Sequence, residues 1–491
     1  MAESSLLAES RAPRRGLVLI LAGGVALLAL FILNGGSIVP ALALLAVVAV
    51  VVAYKAAART RRDREWLITP LVVITILVNS FFLSGVPRAA MHYGLVLLFC
   101  VPCLPVAWRS GILRRGGFEL YAIYFAWALA TISYSLAPEY SLVRLLDAVL
   151  VFCALAAIII DVDDAEQVTR IVERYLIGCG AFVVILAISA VALPRSMTWD
   201  VPDLFTFNQS MERFRGILEN PNHVGGLMLI TVGPILAFWN RLEGWQRLMA
   251  GLISAVVVML AGLADSRTPF IALAAGCCLY ILWRYRIRGV LLMAIAGVLV
   301  AAALPFFGRS IGDYVGRGDV STLTGRTEMW AYVVQQIKAR PIIGYGYEVS
   351  GAIFNSRYFP IWYGPWDMGP QSSLHNGYLN HMIGVGVPAT LFWLFIVLRP
   401  WFFVMRQNDD PWNLKPVFLL VVVPCLIHNL AEAAIGDFLG LDGILIGLFW
   451  ALGERYRLLL MERAETERQS EISELPPAHA VFRSLKPQTF P

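Results

Sequence analysis

Charged residues are scarce in this sequence, and their scarcity excludes most classes of soluble protein. Only 15% of the 491 residues are Asp, Glu, Lys or Arg, against about 25% in an average globular domain. Apolar residues make up 58% of the chain and gather in runs of about 16 to 22, the length that spans the hydrocarbon core of a bilayer. A soluble enzyme, a disordered chain and a secreted disulfide scaffold are therefore excluded.

Cysteine and histidine are also few, and their positions argue against disulfide or metal chemistry. All seven cysteines fall inside apolar runs, so we expect no disulfide framework. Cys100-x-x-Cys103 has the spacing of a redox or metal motif, but its place within a hydrophobic span disfavours that role. The outer loops contain neither an Asp-x-Asp pair nor a His and carboxylate cluster with metal spacing. We expect no metal and no cofactor.

The apolar runs predict an all-α polytopic integral membrane protein with about 12–14 transmembrane helices. Each span must be helical because backbone polar groups find no hydrogen-bond partner in lipid. The predicted spans are 16–33, 37–54, 67–83, 92–107, 117–136, 141–160, 174–193, 223–240, 249–265, 268–284, 290–307, 378–399, 416–434 and 441–455.

Lys and Arg concentrate in alternate loops, and this bias places both termini in the cytoplasm. The first span is longer than a typical signal core and a second follows at once, so we expect a retained anchor. Residues 1–15 are then a cytoplasmic N-terminus, residues 16–455 the transmembrane domain, and residues 456–491 a partly disordered cytoplasmic tail. The net charge of +5 is spread over many short loops, so no nucleic-acid partner is expected.

Two long external segments, 194–222 and 308–377, carry most of the polar residues of interest. In the larger one, apolar residues recur at helical spacing and predict an amphipathic helix lying on the membrane surface. The stripe consists of Met329, Trp330, Val333, Val334 and Ile337.

The first external segment ends at a predicted helix start. Asn220 suits the N-cap and Pro221 the first helical position, with Asn222 following. A helix N-terminus favours phosphate, and Arg213 and Arg215 lie close enough upstream to share such a ligand. The alternative is that the asparagine and proline only start a helix, while the arginines meet lipid headgroups.

Further candidates lie on the same outer face. Arg267 sits in a tight turn near the hydrocarbon, where it needs a ligand or a salt bridge with Asp265. Arg326 begins the amphipathic helix, and His375 with Asn376 closes the large loop. Histidine accepts a proton from a hydroxyl near neutral pH, although a hydrogen-bonded interfacial role is the alternative. Three arginines and a histidine suit an anionic, phosphate-bearing substrate attacked by an alcohol.

One more polar pair falls within the predicted span 416–434. His428 and Glu432 are one helical turn apart, a spacing that allows them to hydrogen-bond to each other. A structural role is favoured, and support of the site is the alternative.

In order and spacing, these motifs resemble the O-antigen ligase and Wzy-type polymerase superfamily over about residues 205–400. The residues that carry the resemblance are Arg215-Gly216, Asn220-Pro221-Asn222, Ser266-Arg267, Thr324-Gly325-Arg326-Thr327 and His375-Asn376-Gly377-Tyr378-Leu379. The stretch from Leu323 to Trp330, followed by Arg340-Pro341 and Gly344-Tyr345-Gly346, is most similar to the exopolysaccharide polymerase branch.

The resemblance implies a membrane glycosyltransferase of the GT-C type at the periplasmic face of the bacterial inner membrane. Its members transfer a glycan from undecaprenyl diphosphate, with inversion and without metal, to a sugar hydroxyl. The acceptor is a second lipid-linked repeat unit in a polymerase, or lipid A–core in a ligase. A chain-length regulator is a further partner by analogy with the polymerase branch.

On this interpretation His375, Arg215 and Arg267 are catalytic residues. The residues expected to bind the diphosphate or glycan are Arg326, Arg213, Asn220, Asn222 and Asn376. Polymerase is favoured and ligase is the alternative. A lipid-linked glycan transporter ranks lower because the polar residues gather at the outer face instead of the bilayer midplane.

Overall fold

The computed structural model describes residues 64–78, 94, 96–97, 99–200, 213–218, 220–295, 326–353, 374–432 and 441–474. In these ranges the chain is helical apart from turns and one two-residue strand pair, as the all-α prediction requires. The helices are α1 Ile68–Val78, α2 Leu104–Arg109, α3 Gly116–Ile132, α4 Pro138–Ile159, α5 Ala165–Ala192, α6 Arg195–Thr198, α7 Pro221–Phe238, α8 Trp245–Leu263, α9 Arg267–Tyr285, α10 Arg326–Ala339, α11 Gly377–Val385, α12 Val387–Arg406, α13 Leu414–Val417, α14 Val423–His428 and α15 Leu441–Glu474.

Six helices in the described part of the chain are long and apolar enough to cross a membrane. They are Pro138–Ile159, Ala165–Ala192, Pro221–Arg241, Trp245–Leu263, Arg267–Tyr285 and Val387–Arg406. Gly116–Ile132 and Leu414–His428 are shorter apolar helices. The polytopic membrane architecture is confirmed. Predicted spans 16–33 and 37–54, and most of 290–307, lie outside the described residues.

A short strand pair returns the chain from the end of α5 toward the start of α7. Strand β1, Trp199–Asp200, pairs antiparallel with β2, Arg213–Phe214. Just beyond β2, the backbone N–H groups of Arg215 and Gly216 both donate to the Thr198 carbonyl, each at 2.9 Å. Gly216 has φ +59°, a left-handed conformation that glycine adopts without steric cost. The pair thus fixes the backbone that carries Arg213 and Arg215.

The predicted span 378–399 is wrong as a single helix, because the chain breaks at Gly386 into α11 and α12. Gly386 has φ +88°, and a Cβ there would collide with the Ile342 carbonyl. The chain following α10 fills the break: Tyr345 N–H donates to the Ile383 carbonyl and Gly346 N–H to the Gly384 carbonyl, each at 2.9 Å. These bonds satisfy carbonyls that an interrupted helix would leave unpaired.

The predicted span 416–434 also ends early. After α13 the chain forms one π-helical segment, Phe418–Val422, and then α14, which ends at His428. Asn429 is its C-cap, and Glu432 lies in the turn that follows, where its backbone N–H donates to the His428 carbonyl at 3.0 Å. The charged residue therefore lies beyond the end of the helix.

The amphipathic helix forms as predicted, at α10, but its apolar face packs on protein. Met329, Val333 and Ile337 are buried in a second apolar cluster with Leu374, Ile383 and other residues. Of the predicted stripe, Val334 is the residue most open to the surroundings. The helix thus anchors the large loop to α11 and to the start of α4.

The opposite end of the helix bundle is held by a buried ion pair and a partly exposed one. Glu454 of α15 is fully buried, accepts the Gly117 N–H at 2.7 Å, and pairs with Arg457 at 2.6 Å. Arg64 pairs with Asp161 beyond the end of α4. These contacts join α1, α3, α4 and α15 at the end far from the starts of α7, α9 and α11.

We predict that Gly386→Ala lowers the melting temperature of the purified protein, because φ +88° and the nearby Ile342 carbonyl exclude a Cβ. The free energy of unfolding is expected to fall by about 2 kcal/mol. The matched control is Gly251→Ala in α8, where nothing lies within 4 Å of the added atom. That variant should be neutral or slightly more stable, since alanine favours helix. Equal melting temperatures for both variants would contradict the steric argument.

Candidate active site

Helix N-termini converge at one end of the bundle. Helix α7 starts at Pro221, α9 at Arg267 and α11 at Gly377. The starts of α7 and α9 are in such close contact that a Cβ at Gly225 would collide with Ser266. Helix α10 is described from Arg326, which reaches the same place through contacts given below. The positive ends of the helix dipoles make this location favourable for an anion.

Local sequence explains two of these helix starts. Asn220 caps α7 by accepting the Asn222 N–H at 2.9 Å, and Pro221 occupies the first position, as predicted. Asn376 caps α11 by accepting the Leu379 N–H at 3.0 Å. Its side-chain amide also donates to the Leu430 carbonyl at 3.0 Å. That second bond ties the start of α11 to the turn after α14.

The centre of the cluster is Glu432, for which the sequence favoured a structural pairing with His428. Its carboxylate accepts three side-chain hydrogen bonds from three different elements. His375 Nδ1 lies 2.8 Å from Oε2, Asn222 Nδ2 lies 2.8 Å from Oε1, and Arg326 Nη2 lies 3.0 Å from Oε1. Arg326 Nη1 also donates to the Ala431 carbonyl at 2.6 Å. Glu432 therefore joins α7, α10 and the loop before α11.

The charge state of Glu432 decides which group donates in its hydrogen bond with His375. Burial would raise the pKa of Glu432, but the hydrogen bond and charge of His375, together with the charges of Arg326 and His428, lower it to about 2. At neutral pH the carboxylate is ionised and only accepts, so His375 donates from Nδ1. The neutral imidazole then carries its lone pair on Nε2, which is the arrangement of a histidine base oriented by a carboxylate.

A second group of contacts surrounds the turn between α8 and α9. Arg213 Nε donates to the Ala264 carbonyl at 2.9 Å, and its Nη2 donates to Asn222 Oδ1 at 2.8 Å. Arg267 lies 3.3 Å from the Asp265 carboxylate, the salt bridge considered above. Asp265 has φ +48°, a left-handed conformation in the turn that presents Arg267. The donor atoms of Arg213 thus brace the turn that carries Arg267.

The structure brings most of the candidate residues together. Arg213, Asn220, Asn222, Arg326, His375 and Asn376 are joined through Glu432 and its neighbours, and Arg267 is reached through the turn that Arg213 contacts. Arg215 follows Arg213 by two residues, with its backbone fixed to Thr198. Among the residues that the structure describes, four arginines stand at these positions, and the salt bridges there involve two carboxylates, Asp265 and Glu432. The described side chains thus carry an excess of positive charge.

Within the described ranges, no group of three or more His, Cys, Asp and Glu side chains is placed to hold a metal ion.

Residues 249–394 match the family model for O-antigen ligase. The superfamily resemblance seen in the sequence motifs is confirmed over that stretch, which contains Arg267, Arg326, His375 and Asn376. Arg213, Arg215 and Glu432 lie outside it. The sequence matches no curated protein. The family supports an enzyme of the O-antigen ligase or polymerase type in a membrane and does not separate the two.

We predict that Glu432 stabilises the folded protein in a pH-dependent way. Its folded pKa of about 2 is below the usual 4.5, so its contribution is complete above pH 4.5 and is lost as pH falls toward 2. This lowering of the pKa adds about 3 kcal/mol to the free energy of unfolding, of which roughly 1 kcal/mol is lost by pH 3.5. Melting temperatures in detergent at pH 7 and pH 3.5 measure this difference.

The Glu432→Gln variant should melt lower at pH 7 and lose less stability on acidification than the natural protein. The control is Glu166→Gln, at an exposed carboxylate paired within one helix with Arg170, which should change stability by less than about 0.5 kcal/mol. Identical acid sensitivity in the natural protein and the Glu432→Gln variant would refute the assignment.

Proposed function

We propose that this protein is an inverting glycosyltransferase that moves an oligosaccharide from undecaprenyl diphosphate to an acceptor sugar hydroxyl. The observation that carries the proposal is the pairing of His375 with Glu432 beside arginines and helix N-termini, in a chain that matches the O-antigen ligase family. A paired base suits activation of an alcohol. A concentrated positive field suits a diphosphate.

In this mechanism Arg215 and Arg267 bind the donor. Their guanidinium groups match phosphate oxygens in bidentate geometry and never lose their charge. The donor diphosphate takes over the contact that Asp265 makes with Arg267 in the present structure. When the bond to the anomeric carbon breaks, negative charge grows on the leaving diphosphate, and the arginines stabilise it there.

In this mechanism His375 activates the acceptor hydroxyl. Its Nε2 takes the proton of the acceptor hydroxyl while the oxygen attacks the anomeric carbon from the side opposite the diphosphate. The carbon–oxygen bond to the acceptor forms, the bond to the diphosphate breaks, and the configuration inverts. The ionised Glu432 stabilises the imidazolium that forms, in the way a carboxylate supports a histidine base.

Arg326 acts on this chemistry through Glu432. Both of its terminal nitrogens are engaged, one with the Glu432 carboxylate and the other with the Ala431 carbonyl. We assign it to holding Glu432 and the large loop in place. The alternative role, direct phosphate contact, requires these bonds to exchange on donor binding.

The site is assigned to the periplasmic face of the bacterial inner membrane. It lies at the bundle end opposite the basic loop residues that include Arg109, Arg114 and Arg115. Such residues favour the cytoplasmic side. The donor lipid then enters from the bilayer with its diphosphate at membrane level.

The acceptor decides between two members of this reaction class. Polymerisation of repeat units, as in exopolysaccharide or O-antigen synthesis, is our first assignment because of the motifs between Leu323 and Gly346. Ligation to lipid A–core is the second, favoured by the description of the matched family. Both use the same His375–Glu432 pair, and a chain-length regulator is an expected partner only of the polymerase.

The deciding experiment supplies purified protein in nanodiscs with the lipid-linked oligosaccharide that accumulates in cells lacking it. A ladder of lengthening glycans, also formed in EDTA, is expected for the polymerase, and a single transfer that requires lipid A–core for the ligase. His375→Ala should lower the rate by about 10²–10⁴-fold while donor binding persists. Donor movement across the bilayer without transfer would overturn the enzyme assignment in favour of a transporter.

We predict that Arg215→Ala and Arg267→Ala each abolish measurable transfer, and that the two Arg→Lys variants recover it only in part. Lysine keeps the charge but loses the bidentate fork. The control is Arg406→Lys at the far end of α12, which should transfer at the natural rate. Full activity in both Lys variants would refute the diphosphate assignment.

A further inference from the structure

Asn222 connects the two halves of the site. Its Oδ1 accepts a hydrogen bond from Arg213 Nη2 at 2.8 Å, and its Nδ2 donates to Glu432 Oε1 at 2.8 Å. Its backbone N–H is bound by the Asn220 side chain at 2.9 Å. Both functional ends of the side-chain amide thus contact protein groups on opposite sides of the start of α7.

The contacts of Asn222 complete a continuous chain of hydrogen bonds across the site. On one side, Arg213 holds the Ala264 carbonyl at 2.9 Å, in the turn that presents Arg267. On the other side, Glu432 holds His375 at 2.8 Å. The chain therefore runs from the proposed donor-binding turn to the proposed base.

The two hydrogen-bond partners of Asn222 require a side-chain amide at this position, because one donates and the other accepts. A carboxylamide accepts from the arginine and donates to the carboxylate at once. An aspartate of the same shape keeps the first bond but places a second carboxylate against Glu432. A leucine or alanine removes both bonds, so Arg213 Nη2 and Glu432 Oε1 each lose one hydrogen-bond partner.

We propose that Asn222 is a positioning residue that fixes the diphosphate-binding turn relative to the His375–Glu432 pair. This role replaces the direct substrate contact expected for Asn222 from sequence, and it rests on the proposed function. Alignment of attacking oxygen, anomeric carbon and leaving group depends on that spacing. Small displacements of reacting groups cost large factors in rate, because oriented reactions gain much of their acceleration from position.

The first test compares pH–rate profiles of the natural protein and Asn222→Asp, using the accumulated lipid-linked oligosaccharide as donor. The groups facing Glu432 are Arg326 from α10, His375 before α11 and His428 of α14, with Arg213 on the far side of Asn222. An added negative charge there favours the protonated state of the coupled pair. The acid limb should move up by about one pH unit or more.

A matched control adds the same charge nearby without touching Glu432. Asn380 of α11 only accepts, from the Leu374 N–H at 3.3 Å, and a carboxylate accepts equally well. Asn380→Asp should keep its acid limb within roughly 0.3 pH units of the natural protein. Equal shifts in both Asp variants would make the effect one of general charge and refute the specific contact.

The second test separates positioning from substrate binding with Asn222→Ala. We expect kcat to fall by about tenfold or more, with the donor KM changed less than about threefold. Binding of undecaprenyl diphosphate, used as a probe of the donor site, should likewise be unchanged, whereas Arg267→Ala should weaken it.

Three outcomes overturn the proposal in distinguishable ways. A raised KM with natural kcat in Asn222→Ala makes Asn222 a substrate ligand. A uniformly lower rate at every pH in Asn222→Asp, with no movement of the acid limb, makes its role purely structural. Absence of transfer by the natural protein rejects the proposed function, and this inference with it.

Discussion

The site depends on keeping one carboxylate charged at the end of a hydrophobic bundle. Taking a carboxylate out of water costs several kcal/mol unless hydrogen bonds and opposite charges replace its hydration. Glu432 obtains them from His375, Asn222 and Arg326, which belong to three separate parts of the chain. Each of these three partners is therefore held within hydrogen-bonding distance of the Glu432 carboxylate. That constraint gathers α7, α10 and the start of α11 around a single point.

The convergence of these helix starts and arginines also creates a region of positive electrostatic potential. Helices α7, α9 and α11 begin there, so the positive ends of three helix dipoles face a common region with four arginines nearby. Asp265 and Glu432 balance part of that charge. In the proposed function, a diphosphate donor brings further negative charge, and the leaving group gains more of it as the bond to the sugar breaks. Binding and catalysis would then use one electrostatic arrangement.

Sequence patterns predicted the elements better than their ends. The cap at Asn220, the helix start at Pro221 and the amphipathic helix α10 all formed where local chemistry indicated. The break at Gly386 was missed because one glycine in an apolar run barely changes hydropathy. Glycine adopts the φ of +88° at this position without strain. The requirement for glycine also comes from the Ile342 carbonyl, which packs against Gly386 only in the folded protein.

The role of Glu432 was missed for a related reason. Helical periodicity placed it one turn beyond His428, and a local pairing seemed sufficient. The structure ends α14 at His428 and turns Glu432 toward His375, which lies 57 residues earlier. The available signal was a lone carboxylate at the edge of an apolar run, facing the same side as the arginines. Sequence alone offered no means to choose its partner.

By itself, the sequence determined the membrane class, the helical content, the capped start of α7 and the set of polar residues at one face. These follow from length, period and short-range hydrogen bonds, which act within a few residues. Only the tertiary structure decided that Glu432 joins Asn222, Arg326 and His375, and that Arg213 braces the turn of Arg267. These contacts span from 51 to 210 residues. The longer ones exist because packing of the apolar helices brings distant helix ends together.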